Sequence, residues 1–349
     1  MNGETPPVVA TFGELMVRLA TPAHLRLAQA TSLDVTFAGA EANVAVSLAA
    51  FGVPARFVSR LPDNPLGTAA LGVLRSLGVD TSYIIRGGDR IGLYFVEPGI
   101  AQRASQVLYD RAGSAFAAIT PGTVPWGEVL EGCRWLHTSG ISPAVSRSAA
   151  AVTAEAVAAA KKAGLMVSID LNHRAKLWDW GRSAGDVMAE LVAQADVVFC
   201  NETDLETVFG IPVPPATTGN AEVGPSSYEP AFKSLHDRFH NVAVAAMSLR
   251  GAVSASENLW TGVLSTSSGF YTTTRYRISP ILDRVGSGDA FAGAAISQLV
   301  QHPAAFQQAL DFAVGASCLK HSVQGDFNRV STGEVLRLIG GDATGRIVR

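Results

Sequence analysis

The sequence predicts an α/β protein: a three-layer α/β/α domain on a mostly parallel sheet, with a small inserted β-sheet. Short β-branched runs bounded by glycine alternate with longer alanine- and leucine-rich stretches. Near-continuous apolar strands separated by helices belong to a parallel sheet covered on both faces. Two further strand pairs have no helix between them, which breaks the alternation. Hydrophobic residues make up 48% of the 349 positions and charged residues 16%, enough for a large core and unlike a disordered chain. At about 100–200 residues per domain, this length holds one large domain and a smaller one.

In chain order, Val8-Val9-Ala10-Thr11-Phe12 is a first strand, 55–59 a strand and 66–77 a helix. Residues 134–138 form a strand and 146–163 a helix, whose alanine-rich core carries Glu155 and packs on a sheet rather than crossing a membrane. Residues 165–171, 196–200 and 242–247 are apolar strands, and 287–301, 303–320 and 331–339 are helices. The segment 212–230 is rich in Pro, Gly, Ser and Thr and reads as a surface loop. The extra strands, 15–19 with 33–37 and 91–96 with 105–109, make a lid of residues 14–38 and 89–111. The main domain is then 1–13, 39–88 and 112–349.

Net charge is −3 with no block of like charge, so neither nucleic acid nor an anionic membrane is an expected partner. No basic n-region or bilayer-length apolar segment is present, so no signal peptide and no membrane span are expected. Cys133, Cys200 and Cys318 are too widely spaced for a disulfide framework or a zinc site, and the seven histidines lack ligand spacing. The cytoplasm and no transition metal are the expectation.

The segment Asp283-Arg284-Val285-Gly286-Ser287-Gly288-Asp289-Ala290-Phe291-Ala292-Gly293 leads into an apolar helix. Glycines let the backbone turn tightly and approach a ligand. The unpaired N–H groups and dipole of the helix start favour an anion, such as a phosphate in transit. Asp289, at that start, can accept a hydroxyl proton as the hydroxyl attacks. An ordinary helix capped by Ser287 or Asp289 is the other reading.

The segment resembles the C-terminal signature of the ribokinase/phosphofructokinase-B family, in which the aspartate of the Gly-Asp pair is the base. The resemblance implies a ribokinase-like fold, ATP as co-substrate, Mg²⁺, Asp289 as base, and an anion hole from the amides of Gly286, Ser287, Gly288 and Asp289. Ser287 stands where alanine or glycine is usual, which adds a hydroxyl to the hole. Phe37-Ala38-Gly39-Ala40-Glu41-Ala42-Asn43 resembles the family's N-terminal Gly-Gly-x-x-Asn motif, with Ala38 and Ala40 interrupting the glycine doublet. There Gly39 would let a sugar approach the main chain, and Asn43 would offer a donor and an acceptor to its hydroxyls.

Three features suggest a substrate with a carboxylate. Tyr94 lies on a lid strand, and Tyr109-Asp110-Arg111 ends another, with Tyr109 and Arg111 on one face. A guanidinium grips a carboxylate through two parallel hydrogen bonds. Asp170-Leu171-Asn172-His173-Arg174 follows a buried strand, at an edge where open α/β sheets bind ligands. The chain is similar to 2-keto-3-deoxygluconate kinases from Phe12-Gly13-Glu14-Leu15-Met16 to Arg346-Ile347-Val348-Arg349. That similarity implies sugar-acid contacts from Gly39, Tyr94, Tyr109, Arg111, Arg174 and Asp326, with Gln324 replacing a usual proline. A neutral ketose kinase and a non-catalytic sugar-binding protein are the alternatives.

Asn201-Glu202-Thr203-Asp204 resembles the family's Asn-x-x-Glu motif, with Asp204 in the glutamate place and suited to magnesium through water rather than directly. A helix-capping Asn with a solvated acidic turn is the other reading. Ser248-Leu249-Arg250-Gly251 resembles the family's ATP-contacting loop, so Asn172, Asn201, Ser248, Gly251, Gly286 and Gly288 are the nucleotide candidates. The open edges of the lid strands, and the family, imply a homodimer through the lid.

Overall fold

The structure is a computed structural model that describes residues 6–214 and 224–342. The centre of the 212–230 loop and the Arg346-Ile347-Val348-Arg349 end lie outside the described residues. Strands are β1 (Val8–Phe12), β2 (Met16–Ala20), β3 (Asp34–Ala38), β4 (Ala55–Leu61), β5 (Ile84–Arg86), β6 (Gly92–Glu97) and β7 (Gln106–Asp110). They continue with β8 (Cys133–Ser139), β9 (Met166–Asp170), β10 (Val197–Cys200), β11 (Val244–Ser254), β12 (Glu257–Thr266), β13 (Gly269–Thr272) and β14 (Tyr276–Ile278). Helices are α1 (Ala40–Ala50), α2 (Pro65–Ser76), α3 (Trp126–Val129), α4 (Ile141–Ala144), α5 (Arg147–Lys162) and α6 (Ala184–Val192). The rest are α7 (Asp204–Phe209), α8 (Glu229–Arg238), α9 (Ser287–Leu299), α10 (Phe306–Lys320) and α11 (Thr332–Ile339).

The large sheet runs β13-β12-β11-β10-β9-β8-β1-β4-β5, with β14 also on β12. From β11 to β5 every pair is parallel, and β12, β13 and β14 add an antiparallel margin. Successive strand side chains point to opposite faces. Val9, Val197 and Val244 accordingly enter one core with α1, α2, α9 and α10, while Ala10, Val198 and Ala245 enter another with α5, α6 and α8. Burial on both faces is the reason these strands read as unbroken apolar runs. Among the described residues no helix is long and apolar enough to cross a membrane.

Two expectations shift. Ser248-Leu249-Arg250-Gly251 is not a loop but the continuation of β11, paired to β12 as far as Ser254. From Arg250 onward β11 is exposed or half-buried, so its side chains need not be apolar and the apolar run ends before the strand does. Within 212–230, Pro225–Tyr228 forms a 3₁₀ turn that runs into α8. Pro225 and Pro230 sit at helix starts, where a missing N–H costs nothing.

The four extra strands form a second sheet, β3-β2-β6-β7, parallel between β2 and β6 and antiparallel outside. One of its faces buries Met16, Ala20, Ala38, Tyr94 and Val96.

Candidate active site

A cavity of about 860 Å³ lies between the small sheet and the carboxyl ends of β9 and β10. Its wall includes Gly39, Asn43, Tyr94, Tyr109, Arg111, Asn172, Arg174, Asn201, Ser248, Gly251, Gly286, Ser287, Gly288, Asp289 and Asp326. The sequence motifs therefore converge on one space.

The N-cap of α9 is Gly286, at φ 81 and ψ 0. This left-handed backbone suits glycine, and a Cβ there would also sit 2.1 Å from the Asp326 carbonyl oxygen. A Cβ on Gly288 would meet nothing within 4 Å, so the helix start faces open space. No side chain caps α9, so the capped-helix reading for Ser287 or Asp289 does not hold. Ser287 Oγ donates to the Arg284 carbonyl at 2.9 Å, so its proton is not offered to the anion hole as expected.

The Asp289 carboxylate is oriented from α1. Asn43 Nδ2 donates to Asp289 Oδ2 at 2.6 Å, while Asn43 Oδ1 faces the Gly39 N–H at 3.4 Å. The two polar ends that the sequence assigned to sugar hydroxyls are thus both engaged by the protein. Burial pushes the Asp289 carboxyl up to about 7; Asp326 and Glu41 add to this, and the Asn43 bond and Arg174 oppose it. A proton acceptor poised near neutrality is what general-base chemistry needs. Gly39 has extended backbone at φ 178, and a Cβ would lie 1.9 Å from the Glu14 carbonyl oxygen. Its glycine is required by this crossing chain.

On the small sheet, Tyr94 and Tyr109 face each other across β6 and β7, with ring centroids 5.9 Å apart. Tyr94 Oη donates to Asp326 Oδ2 at 2.7 Å, and burial beside that carboxylate holds the phenol well above its usual range. Arg111 is neither a free fork nor a surface residue. It is buried, with Nε donating to Glu14 Oε2 at 2.8 Å and Nη2 to the same oxygen. Its charge is balanced across 97 residues of sequence, which no local pattern shows. Asp110 turns away and pairs with Arg90 at 2.9 Å. Arg174 is exposed at the cavity, donates to the His173 carbonyl and makes no ion pair among the described residues.

On the β10 side, Asn201 Oδ1 accepts from the Thr203 N–H and hydroxyl and the Asp204 N–H, closing the turn ahead of α7, whose N-cap is Thr203. Asp204 does not line the cavity. It is 2% exposed, and its oxygens accept the N–H groups of Asn201 and His173, tying the β9 and β10 ends together. The shorter aspartate arm stays with the backbone, while Glu202 and Asp170 line the cavity. Burial, then Asp204 and Asp289, pushes Asp170 up to about 8. Asn172 adopts φ 37, and its N–H donates to Asp170 Oδ1 at 3.1 Å.

Sequence reasoning passed over Glu14, Arg18, Glu41 and Glu202. Glu41 lay inside a quoted motif; it is buried, and its Oε1 accepts from Ser139 and Ser142. Arg18 alternates with Met16 and Ala20 on the apolar face of β2, and an inward charge in that phase was the available signal.

The profile of the pfkB family carbohydrate kinases matches residues 7–332. The chain is 33% identical over 336 residues to a 2-dehydro-3-deoxygalactonokinase of Haloferax volcanii, covering 96% of this chain and 98% of the relative. It is 27% identical to fructokinase-1 of Oryza sativa, covering 95% and 97%. The crystal structure of a 2-dehydro-3-deoxygluconokinase from Thermotoga maritima superposes with a TM-score of 0.90 at 41% identity, over 97% of this chain and 99% of that one. With its motifs assembled around one cavity and this similarity along its length, the chain belongs to the pfkB family of carbohydrate kinases.

Proposed function

We propose that the enzyme transfers the terminal phosphoryl group of ATP to 2-keto-3-deoxygluconate, giving 6-phospho-2-keto-3-deoxygluconate, with Asp289 as the general base. One observation carries the reading: a carboxyl poised near neutrality, aimed by Asn43 into a cavity beside an uncapped helix start. Asp289 takes the hydroxyl proton as that oxygen attacks. The amides of Gly286, Ser287, Gly288 and Asp289 and the α9 dipole meet the charge on the phosphoryl group in transit. Mg²⁺, when bound with ATP, offsets phosphate charge. Asp170 and Glu202 would hold it.

Arg174, exposed on the cavity wall and without an ion pair among the described residues, is the feature that supports a substrate carboxylate. A neutral ketose is the second reading, favoured by Glu14, which balances Arg111. A coupled ATP-consumption assay across 2-keto-3-deoxygluconate, its galactonate-derived counterpart, fructose and ribose decides. The expected order puts the sugar acids well above the neutral sugars, and kcat/KM on fructose equal to or above that on the acids would refute the sugar-acid reading.

The small sheet acts as a lid over the sugar. Its outer face exposes Val35 and Leu108, which supports a homodimer formed through the lid and testable by light scattering. Three free cysteines and the use of ATP support a cytoplasmic enzyme.

A further inference from the structure

We propose that Arg18 is a positioning residue that makes the geometry of the anion-hole turn depend on docking of the small sheet. The proposal rests on the reading of Asp289 as the base. Arg18 lies mid-way along β2 and is 3% exposed. Its Nη2 donates to Asp283 Oδ2 at 2.5 Å, and its Nη1 donates to Asp326 Oδ1. The two aspartates follow 265 and 308 residues later in the chain and flank the turn that carries the base.

Each aspartate touches that turn. Asp283 Oδ1 accepts the N–H of Val285, next to Gly286, at 3.0 Å, and its Oδ2 accepts the N–H of Gly325 at 3.1 Å. The Asp326 carbonyl packs against Gly286 so closely that no Cβ fits, and its carboxylate receives Tyr94 from β6. The small sheet thus reaches the turn through one guanidinium and one phenol. A planar fork can serve two carboxylates at once, which an ammonium does less well. A second link runs alongside. Ala101 exchanges hydrogen bonds with Ala255 and Ser256 at the β11–β12 turn, and Arg284 donates to the carbonyls of Ser254 and Ala255. Arg284 lies between Asp283 and Val285 in the chain, so both links end on the same stretch.

A residue that only stapled the sheet would, when replaced, raise KM for the sugar and lower stability, with turnover at saturation unchanged. Positioning of the turn predicts a loss in kcat. The full-length enzyme is compared with Arg18→Lys and with the double variant Arg18→Met/Asp283→Asn, which keeps the charge of the Arg18, Asp283 and Asp326 group at −1 and so guards the fold. Initial rates are taken at saturating ATP and at saturating levels of the best sugar from the substrate panel, with circular dichroism as the folding check. The expected result is a kcat lower by about 10- to 100-fold in folded protein, the range of a lost charge-assisted hydrogen bond, with KM for ATP within about threefold. A folded variant of either kind with kcat within about threefold of the parent overturns the proposal. Asp289→Asn, run in parallel, tests the base reading separately. Hydrogen exchange on the parent is the measurement that needs no variant. Added sugar should protect 283–289 together with β2, and protection of β2 alone overturns the proposal.

Discussion

Asp289→Asn should cost activity and yet stabilise the protein above neutral pH. The side chain keeps its size, and its amide oxygen can still accept from Asn43 Nδ2, as the carboxylate does at 2.6 Å. It cannot take the proton of the attacking hydroxyl. Loss of general-base assistance costs about 10²- to 10⁴-fold in kcat, or roughly 3–5.5 kcal/mol of barrier. Stability moves the other way. Burial raises the Asp289 carboxyl from 3.8 to about 7, so the folded state binds more protons than the unfolded state between those values. Stability therefore falls as pH rises through that window, and the full penalty is present above pH 7. About three pKa units at 1.36 kcal/mol each set a ceiling of about 4 kcal/mol. Asparagine carries no such penalty, so a gain of roughly 1–3 kcal/mol at pH 8 is expected, shrinking by more than half at pH 5. Steady-state kinetics with the substrate-free protein unfolded in urea at both pH values checks the two effects together. A folded variant with kcat within about threefold of the parent refutes the base assignment, and equal stability at pH 8 refutes the burial argument.

Asn43→Ala removes the bond that opposes burial, so the acid limb of kcat/KM, expected near pH 7 in the parent, should move to higher pH; an unmoved limb means Asn43 does not tune the base. Gly286→Ala forces a Cβ into a left-handed position 2.1 Å from the Asp326 carbonyl oxygen, and the strain of about 1–3 kcal/mol should appear in thermal unfolding together with a drop in kcat. Arg111→Ala leaves Glu14 buried without its cation, so unfolding should become easier by about 3–5 kcal/mol and sugar acid and neutral sugar should suffer alike. Arg174→Ala, at an exposed and unpaired guanidinium, should instead weaken only the sugar acid, by roughly 10- to 150-fold, as read from KM on both substrates.

Much of the scaffold was legible because its signals are local. β1 and β10 are buried on both faces and so are near-continuously apolar, while α5 announces itself by its alanines and its Ser146 cap. The two glycine motifs were legible for the same reason, since a tight backbone leaves a short, spaced imprint. The β11–β12 hairpin was not, because β11 from Arg250 onward is exposed or half-buried and carries no apolar pattern.

What each site residue is bonded to could not be read in this way. Sequence by itself determined the class of the fold, the turn that carries Asp289 and the set of polar residues that gather at the strand ends. Only the tertiary structure decided that Asn43 holds the base, that Glu14 balances Arg111, that Arg18 bridges Asp283 and Asp326, and that Asp204 faces the backbone. The physical reason is range. Propensity, periodicity and turn chemistry act over a few neighbouring residues, whereas a buried charge must find its partner wherever folding brings one, here as far as 308 positions along the chain.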